Sequence, residues 1–358
     1  MRVHQQIFKS RQNGNRHGFT LVELLVVISI IGVLVGLTVP AIFAVRRTFN
    51  NSSVKFEVQG LANAVEAYRA KYGDYPPDGS SWILMEAHLR KAFPNILLSE
   101  LQLLNPANNS ANSGIRNDYA GMQRVMDPAE ALVFFLGGFS SDPAKPFTGK
   151  GGPFLGAAGN YEYNMQRENA LYEFNASRLS VMDSGTALGG AVSIDEDLYA
   201  NNSRDLLPVY SSYATTTPYV YFNAKTYQLT SGSGVFFNYH LATSPTSTQA
   251  NLYGVARPLI AANPTAKAVY ASPQSFQVIS PGVDGFYGGM APPSSGNPVV
   301  FSVTGQGYQY GNSGNWSTTT DNRFRLPIHG PKDTPAWDNV ASCIDVATFR
   351  DAFASAGQ

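Results

Sequence analysis

The chain has 358 residues, enough for about two domains. Charged residues make up only 14% of it, and 25 Lys+Arg balance 25 Asp+Glu. That balance excludes a generic nucleic-acid binder, which would carry a basic excess. With 19 Tyr and 21 Phe the composition also excludes a disordered chain. The single cysteine, Cys343, excludes an internal disulfide framework and a cysteine-based zinc site.

Residues 1–18 hold four cations (Arg2, Lys9, Arg11, Arg16) and no acid. From Leu24 to Val45 no residue is charged, and Ser29 and Thr38 alone have polar side chains. A helix of that length spans about 33 Å, enough for a hydrocarbon core of about 30 Å. The basic, acid-free lead-in predicts a cytoplasmic N-terminus and a head on the far side of the membrane. A secretory signal peptide has a shorter apolar region and an A-x-A-like cleavage site, neither of which is present here. A plain membrane anchor leaves Glu23 unexplained, because an ionisable group beside such a run is costly and points to function.

Gly18-Phe19-Thr20-Leu21-Val22-Glu23, followed directly by the apolar run, resembles the N-terminal signal of type IV pilins and type II secretion pseudopilins. The resemblance implies cleavage by a prepilin peptidase between Gly18 and Phe19, and N-methylation of Phe19. It places the family's assembly acid at Glu23 and its membrane proline at Pro40. It further implies a structural subunit rather than an enzyme. Such a subunit polymerises with copies of itself and with other pseudopilins on an inner-membrane secretion platform, with no nucleic-acid partner. The expected location is the cytoplasmic (inner) membrane, spanned once, with a periplasmic head. The near alternative is a type IV pilin or minor pilin of a surface fibre. The alternative of a different class is a membrane-anchored exported enzyme or binding protein. Loss of the leader removes four of the 25 cations and leaves a side-chain balance of −4.

Past the membrane run, Arg46 and Arg47 can snorkel to the interface. Val54, Val58, Leu61, Val65, Tyr68 and Tyr72 then recur at spacings of three and four, the apolar face of an amphipathic helix. Lys55, Glu57, Gln59, Asn63, Glu66 and Lys71 fall elsewhere on its surface. Gly73 and Asp74-Tyr75-Pro76-Pro77 end it. The expected division is therefore a leader (1–18), a transmembrane half-helix (19–45), an amphipathic half-helix (46–73) and a head (74–358). Gly32 and Gly36 form a G-x-x-x-G, a spacing that allows membrane helices to approach closely.

In the head, Trp82–Phe93 reads as a helix. Asp127-Pro128-Ala129-Glu130 reads as the start of another, with Asp as N-cap. Residues 140–160 read as irregular. Residues 218–229, 235–241, 276–279 and 299–303 carry strand signals. The predicted class is α+β, a long N-terminal helix on an antiparallel sheet, with about 100–260 as a large insertion holding a small core of its own. His88, His240 and His329 form no metal-binding spacing, and no nucleophile elbow or phosphate-binding loop occurs. Ile279-Ser280-Pro281-Gly282-Val283-Asp284-Gly285 resembles the calcium loop of the major type II pseudopilins. The resemblance implies Asp284 as a calcium ligand, with Asp338 as its best partner and Asp321 as runner-up. The acidic cluster Asp195-Glu196-Asp197 lacks calcium-loop spacing and reads as a solvated turn.

Overall fold

A computed structural model describes residues 20–79, 81–105, 126, 128–157, 160–180, 207–213, 215, 218–229, 239–240, 255–256, 258–259, 270, 272, 274–280, 299–301, 307–310 and 316–318. Gly18, Phe19, Asp127, Asp284, Asp321, His329, Asp338, Cys343 and the 195–197 cluster lie outside them. The chain divides into two compact units, Met1–Phe49 and Asn50–Gln358.

Helix α1 runs from Leu21 to Tyr72 and contributes residues to each unit. In the first unit its segment Leu21–Phe43 is 23 residues long, with no buried residue. Past Glu23 its two polar residues, Ser29 and Thr38, turn inward on the helix's own backbone. Ser29 Oγ donates to the Val26 carbonyl at 2.7 Å and Thr38 Oγ1 to the Val35 carbonyl at 3.4 Å. A surface of this kind suits lipid, where every polar group must be satisfied within the segment.

In the second unit α1 presents the predicted stripe. Val54, Val58, Leu61, Val65 and Tyr68 are all buried, and Tyr72 is half-buried. Gly73 then takes φ +78°, a left-handed turn that costs glycine nothing, and its N–H donates to the Arg69 carbonyl at 2.8 Å. Helix α2 (Trp82–Ala92) buries Met85, His88 and Leu89 and matches the sequence expectation. Helix α3 (Leu98–Leu104) was not expected. Its buried Glu100 organises a distant turn, accepting from the Phe147 N–H at 2.7 Å, the Thr148 N–H at 3.0 Å and Thr148 Oγ1.

Apart from Glu130 in its first turn, helix α4 (Pro128–Leu136) is apolar, and all nine of its residues are buried. A helix with no polar face must be enclosed. It lies in one continuous cluster with the α1 stripe, Met85 and Leu89 of α2, Phe139, Phe147, Tyr219 and Phe276. Many described residues of 100–260, among them Leu101, Phe134, Phe147, Tyr210 and Tyr221, therefore share the core of α1, whereas buried Val209, Val220, Phe222 and Leu259 fall outside that cluster. Aromatic rings dominate the cluster. Phe134 meets Phe135 edge-on at 5.1 Å between centroids, and Phe93 meets Phe139 at 5.2 Å. Gly138, at φ +98°, closes α4 where a Cβ would stand 2.0 Å from the Glu168 carbonyl. Arg167 caps the same helix end, donating to the Val133 carbonyl at 3.0 Å, the Phe134 carbonyl at 2.6 Å and the Gly138 carbonyl.

The strands form several small antiparallel sheets rather than the single sheet expected. β1 (Phe154–Ala157), inside the stretch read as irregular, pairs antiparallel with β2 (Asn160–Tyr163), which begins where that stretch ends. β3 (Leu179–Ser180) pairs with β4 (Val209–Tyr210). β5 (Val220–Asn223) pairs with β8 (Phe276–Ile279), Val220 opposite Ile279 and Asn223 opposite Phe276. β6 (Tyr239–His240) pairs with β7 (Val255–Ala256), and β10 (Gly307–Tyr310) lies between β9 (Val299–Phe301) and β11 (Trp316–Thr318). The strand expected over 218–229 stops at Asn223, and α5 (Ala224–Leu229) follows. Asn223 Oδ1 accepts from the Lys225 N–H at 2.8 Å, and buried Asp78 accepts from Thr226 Oγ1 at 3.0 Å and the Asn223 N–H at 3.1 Å. These bonds give the backbone a helical start, and they outweigh the aromatic strand pattern.

Candidate functional site: the start of the N-terminal helix

The only functional residues that sequence reasoning singled out and the structure describes with side chains near the N-terminus are Glu23 and Pro40. Glu23 is not unpaired. Its Oε2 accepts from the Thr20 N–H at 2.8 Å and from Thr20 Oγ1 at 2.8 Å. The Glu23 N–H donates back to Thr20 Oγ1 at 3.2 Å. This is a reciprocal capping box, with Thr20 as N-cap and Glu23 three residues later. The T-x-x-E spacing was legible in the sequence, but the apolar context drew attention to charge and away from capping. The box fixes the carboxylate at the first turn of α1, where the helix dipole favours negative charge.

Further along, Pro40 lies inside α1. Proline has no N–H, so the carbonyl four residues back, that of Gly36, loses its usual helical donor. Nothing stands within 4 Å of where a Cβ would sit on Gly32 or Gly36. The glycines leave that face of the helix open to close approach. Arg46 is exposed beyond the apolar segment.

Within the head, the structure reveals a second group that the sequence reading misplaced. Glu57, assigned above to the outer surface of the amphipathic helix, is held in a mostly buried ion pair. Arg178 Nη1 and Nη2 reach its two carboxylate oxygens at 2.6 and 2.7 Å, with side chains only 19% and 12% exposed. Tyr210 Oη donates to the same carboxylate at 3.0 Å, as does Tyr219 Oη. Burial, reinforced by the Glu57 charge, raises the pKa of both phenols, so both stay protonated donors. The Arg178 guanidinium also lies over the Tyr210 ring, 4.4 Å from its centroid. Four donors from three residues on one carboxylate lock α1 to segments more than 120 residues away. This clamp is structural.

His88 is the described histidine with a resolved environment. It packs against Tyr68 of α1, with His88 Nε2 and Tyr68 Oη 2.8 Å apart. Burial lowers its pKa to about 4, and the neighbouring Lys225 and Lys91 add to that against the opposing charge of Asp74. An unfolded histidine titrates near 6.5, so the folded state resists protonation. The stability that neutral His88 contributes is present above pH 6.5 and is lost as pH falls from 6.5 to about 4. Over that window we expect a loss of about 3 kcal/mol, at roughly 1.4 kcal/mol per unit. Denaturant melts of His88→Gln should show a flatter acid limb between those pH values. An unchanged slope would assign the acid sensitivity elsewhere.

Among the described residues no group of three or more His, Cys, Asp or Glu could hold a metal ion. Asp284 and Asp338 lie outside them.

Residues 13–39 match the model of the prokaryotic N-terminal methylation motif. Residues 13–39 thus carry a prepilin-type methylation motif, and the exposed apolar segment Leu21–Phe43 is consistent with a single membrane anchor. The chain is also similar to the type II secretion system core protein G of Escherichia coli (strain K12). The two are 35% identical over 66 residues, which cover 18% of this chain and 46% of that relative. The matched region therefore spans about half the length of the relative. Together the two matches support a pseudopilin or type IV pilin-like family. No solved structure matches the chain significantly.

Proposed function

We propose that the chain is a structural subunit of a pseudopilus in a type II secretion-like system. The observation that carries this reading is the methylation motif over residues 13–39, set at the head of a 23-residue exposed apolar helix with Glu23 in its first turn. In this reading a prepilin peptidase cuts between Gly18 and Phe19, and Phe19 is N-methylated. The subunit waits in the inner membrane, spanning it once, with its N-terminus cytoplasmic and its head periplasmic. It then joins copies of itself and other pseudopilins on a secretion platform through α1. Gly32, Gly36 and Pro40 supply the close helix contacts, and Glu23 supplies the recruitment charge. The head is a rigid adaptor and performs no reaction. Calcium binding at Asp284 and Asp338 belongs to the same reading and rests on the loop sequence alone.

The test is N-terminal mass spectrometry of the membrane-extracted protein. The expected mature chain begins at Phe19 carrying one extra methyl group, and Gly18→Val should leave the leader attached by crowding the peptidase. A mature protein that retains Met1, or begins near Arg46, overturns the pilin-like reading.

A further inference from the structure

Two adjoining cavities open where α1 ends. The smaller, about 170 Å³, is bordered by Pro77, Leu84 and Ala87 on its apolar side and by Lys91 and Lys225 on its polar side. The second, about 300 Å³, brings in Arg69, Gln274 and Ser275. Both share Asp74, Tyr75, Asn223 and Lys225. Between them the linings hold three permanent cations, Arg69, Lys91 and Lys225, against the single carboxylate of Asp74. Glu66 stands outside both linings, accepting a hydrogen bond from Tyr75 Oη at 2.9 Å.

Asp74 uses one oxygen, Oδ2, for both lysines. Lys91 Nζ lies 3.5 Å from it and Lys225 Nζ makes the closer contact. Lys91 spends one further proton on the Gly73 carbonyl at 3.2 Å. Each ammonium has three donors. The pair thus commits three of six and keeps three for a second acceptor. Their side chains are 55% and 59% exposed, so those donors face an accessible opening. A second carboxylate seated across the lysines would complete an alternating arrangement of two ammonium and two carboxylate groups. Its stem would lie along Leu84 and Ala87.

We propose that this groove binds a carboxylate carried on a short apolar stem. That chemistry is shared by a glutamate side chain of another protein and by a free short-chain dicarboxylate. Phosphate is a poorer match, because the smaller cavity offers no guanidinium fork and its walls on one side are hydrocarbon.

The experiment uses the full chain in detergent at constant ionic strength. Glutarate, its uncharged diamide, inorganic phosphate and an end-blocked Ala-Glu-Ala peptide are titrated by calorimetry. Saturable binding of glutarate or the peptide, with at least tenfold weaker binding of diamide and phosphate, supports the proposal. Tighter binding of the peptide assigns the ligand to a protein, and tighter binding of glutarate assigns it to a free acid. The Lys91→Gln/Lys225→Gln double variant should lose at least tenfold in affinity, whereas Lys91→Arg/Lys225→Arg should keep most of it. An independent readout needs no variant. Saturating glutarate should slow amine acetylation of Lys91 and Lys225 several-fold by peptide mass spectrometry, leaving exposed Lys150 unchanged. Absence of saturable binding, phosphate binding equal to glutarate, or equal acetylation with and without ligand each overturns it.

Discussion

Arg178→Ala should destabilise the head by about 3–5 kcal/mol, the cost of breaking a buried pair by removing one partner. The substitution deletes both bonds to Glu57 and the donation from Arg178 Nε to the Ser211 carbonyl at 3.1 Å. It leaves a carboxylate only 12% exposed, facing two phenols that donate to it but carry no charge. Desolvation of that charge outweighs what two neutral donors return. Glu57→Ala should cost less, because a guanidinium can turn its free donors to water and to the Ser211 carbonyl. Replacing both with methionine should recover most of the loss, since an apolar pair of similar volume needs no desolvation. The measurement is the denaturation midpoint of all four proteins under identical conditions. A loss below about 1 kcal/mol for Arg178→Ala would mean that the pair behaves as an ordinary surface bridge.

That clamp also marks the limit of what the sequence could tell. The apolar stripe on α1, its end at Gly73 and the body of α2 were legible because each depends on residues within a turn or two. β8 was legible for the same reason, being bounded by Ser275 and Ser280. Glu57 was misread because its partners stand 121, 153 and 162 residues away. A helical wheel puts it at the border of the stripe, where either reading is open until the rest of the chain arrives. α5 was missed because its start depends on Asp78, some 148 residues from Thr226. α4 was found, and its almost wholly apolar run fits its place in the core it shares with the α1 stripe. At the N-terminus the sequence carried the T-x-x-E spacing of the Thr20–Glu23 box, while the cleavage and assembly roles of Gly18, Phe19, Glu23 and Pro40 rest on the resemblance. The box spans consecutive residues, and its motif is local by construction.

Glu23→Ala should reduce filament yield at least tenfold while processing and head stability stay nearly unchanged. A carboxylate at membrane depth costs on the order of 2.5–3.5 kcal/mol, less near the interface. In the single subunit the capping box already gives Glu23 Oε2 two donors, from the Thr20 N–H and Oγ1. In a membrane the carboxylate would therefore be positioned and partly satisfied. What the box cannot supply is a counter-charge. Cutting before Phe19 would create one, an N-terminal amine a single residue ahead of Thr20. Pairing that amine with Glu23 of a neighbouring subunit would require the two helices to stand in the right axial register, so under the proposed function the charge would select register as well as recruit. Two variants separate capping from charge. Glu23→Gln keeps a carbonyl oxygen that can accept from Thr20, preserving the box without the charge. Thr20→Ala keeps the charge and removes the box's hydroxyl. If charge pairing governs assembly, Glu23→Gln should assemble as poorly as Glu23→Ala, and Thr20→Ala should lose only a few-fold. Filament mass should be compared at equal amounts of processed subunit in the membrane, so that a processing defect is not mistaken for an assembly defect. Normal filament yield from Glu23→Gln would show that the cap suffices and that no ion pair between subunits controls assembly.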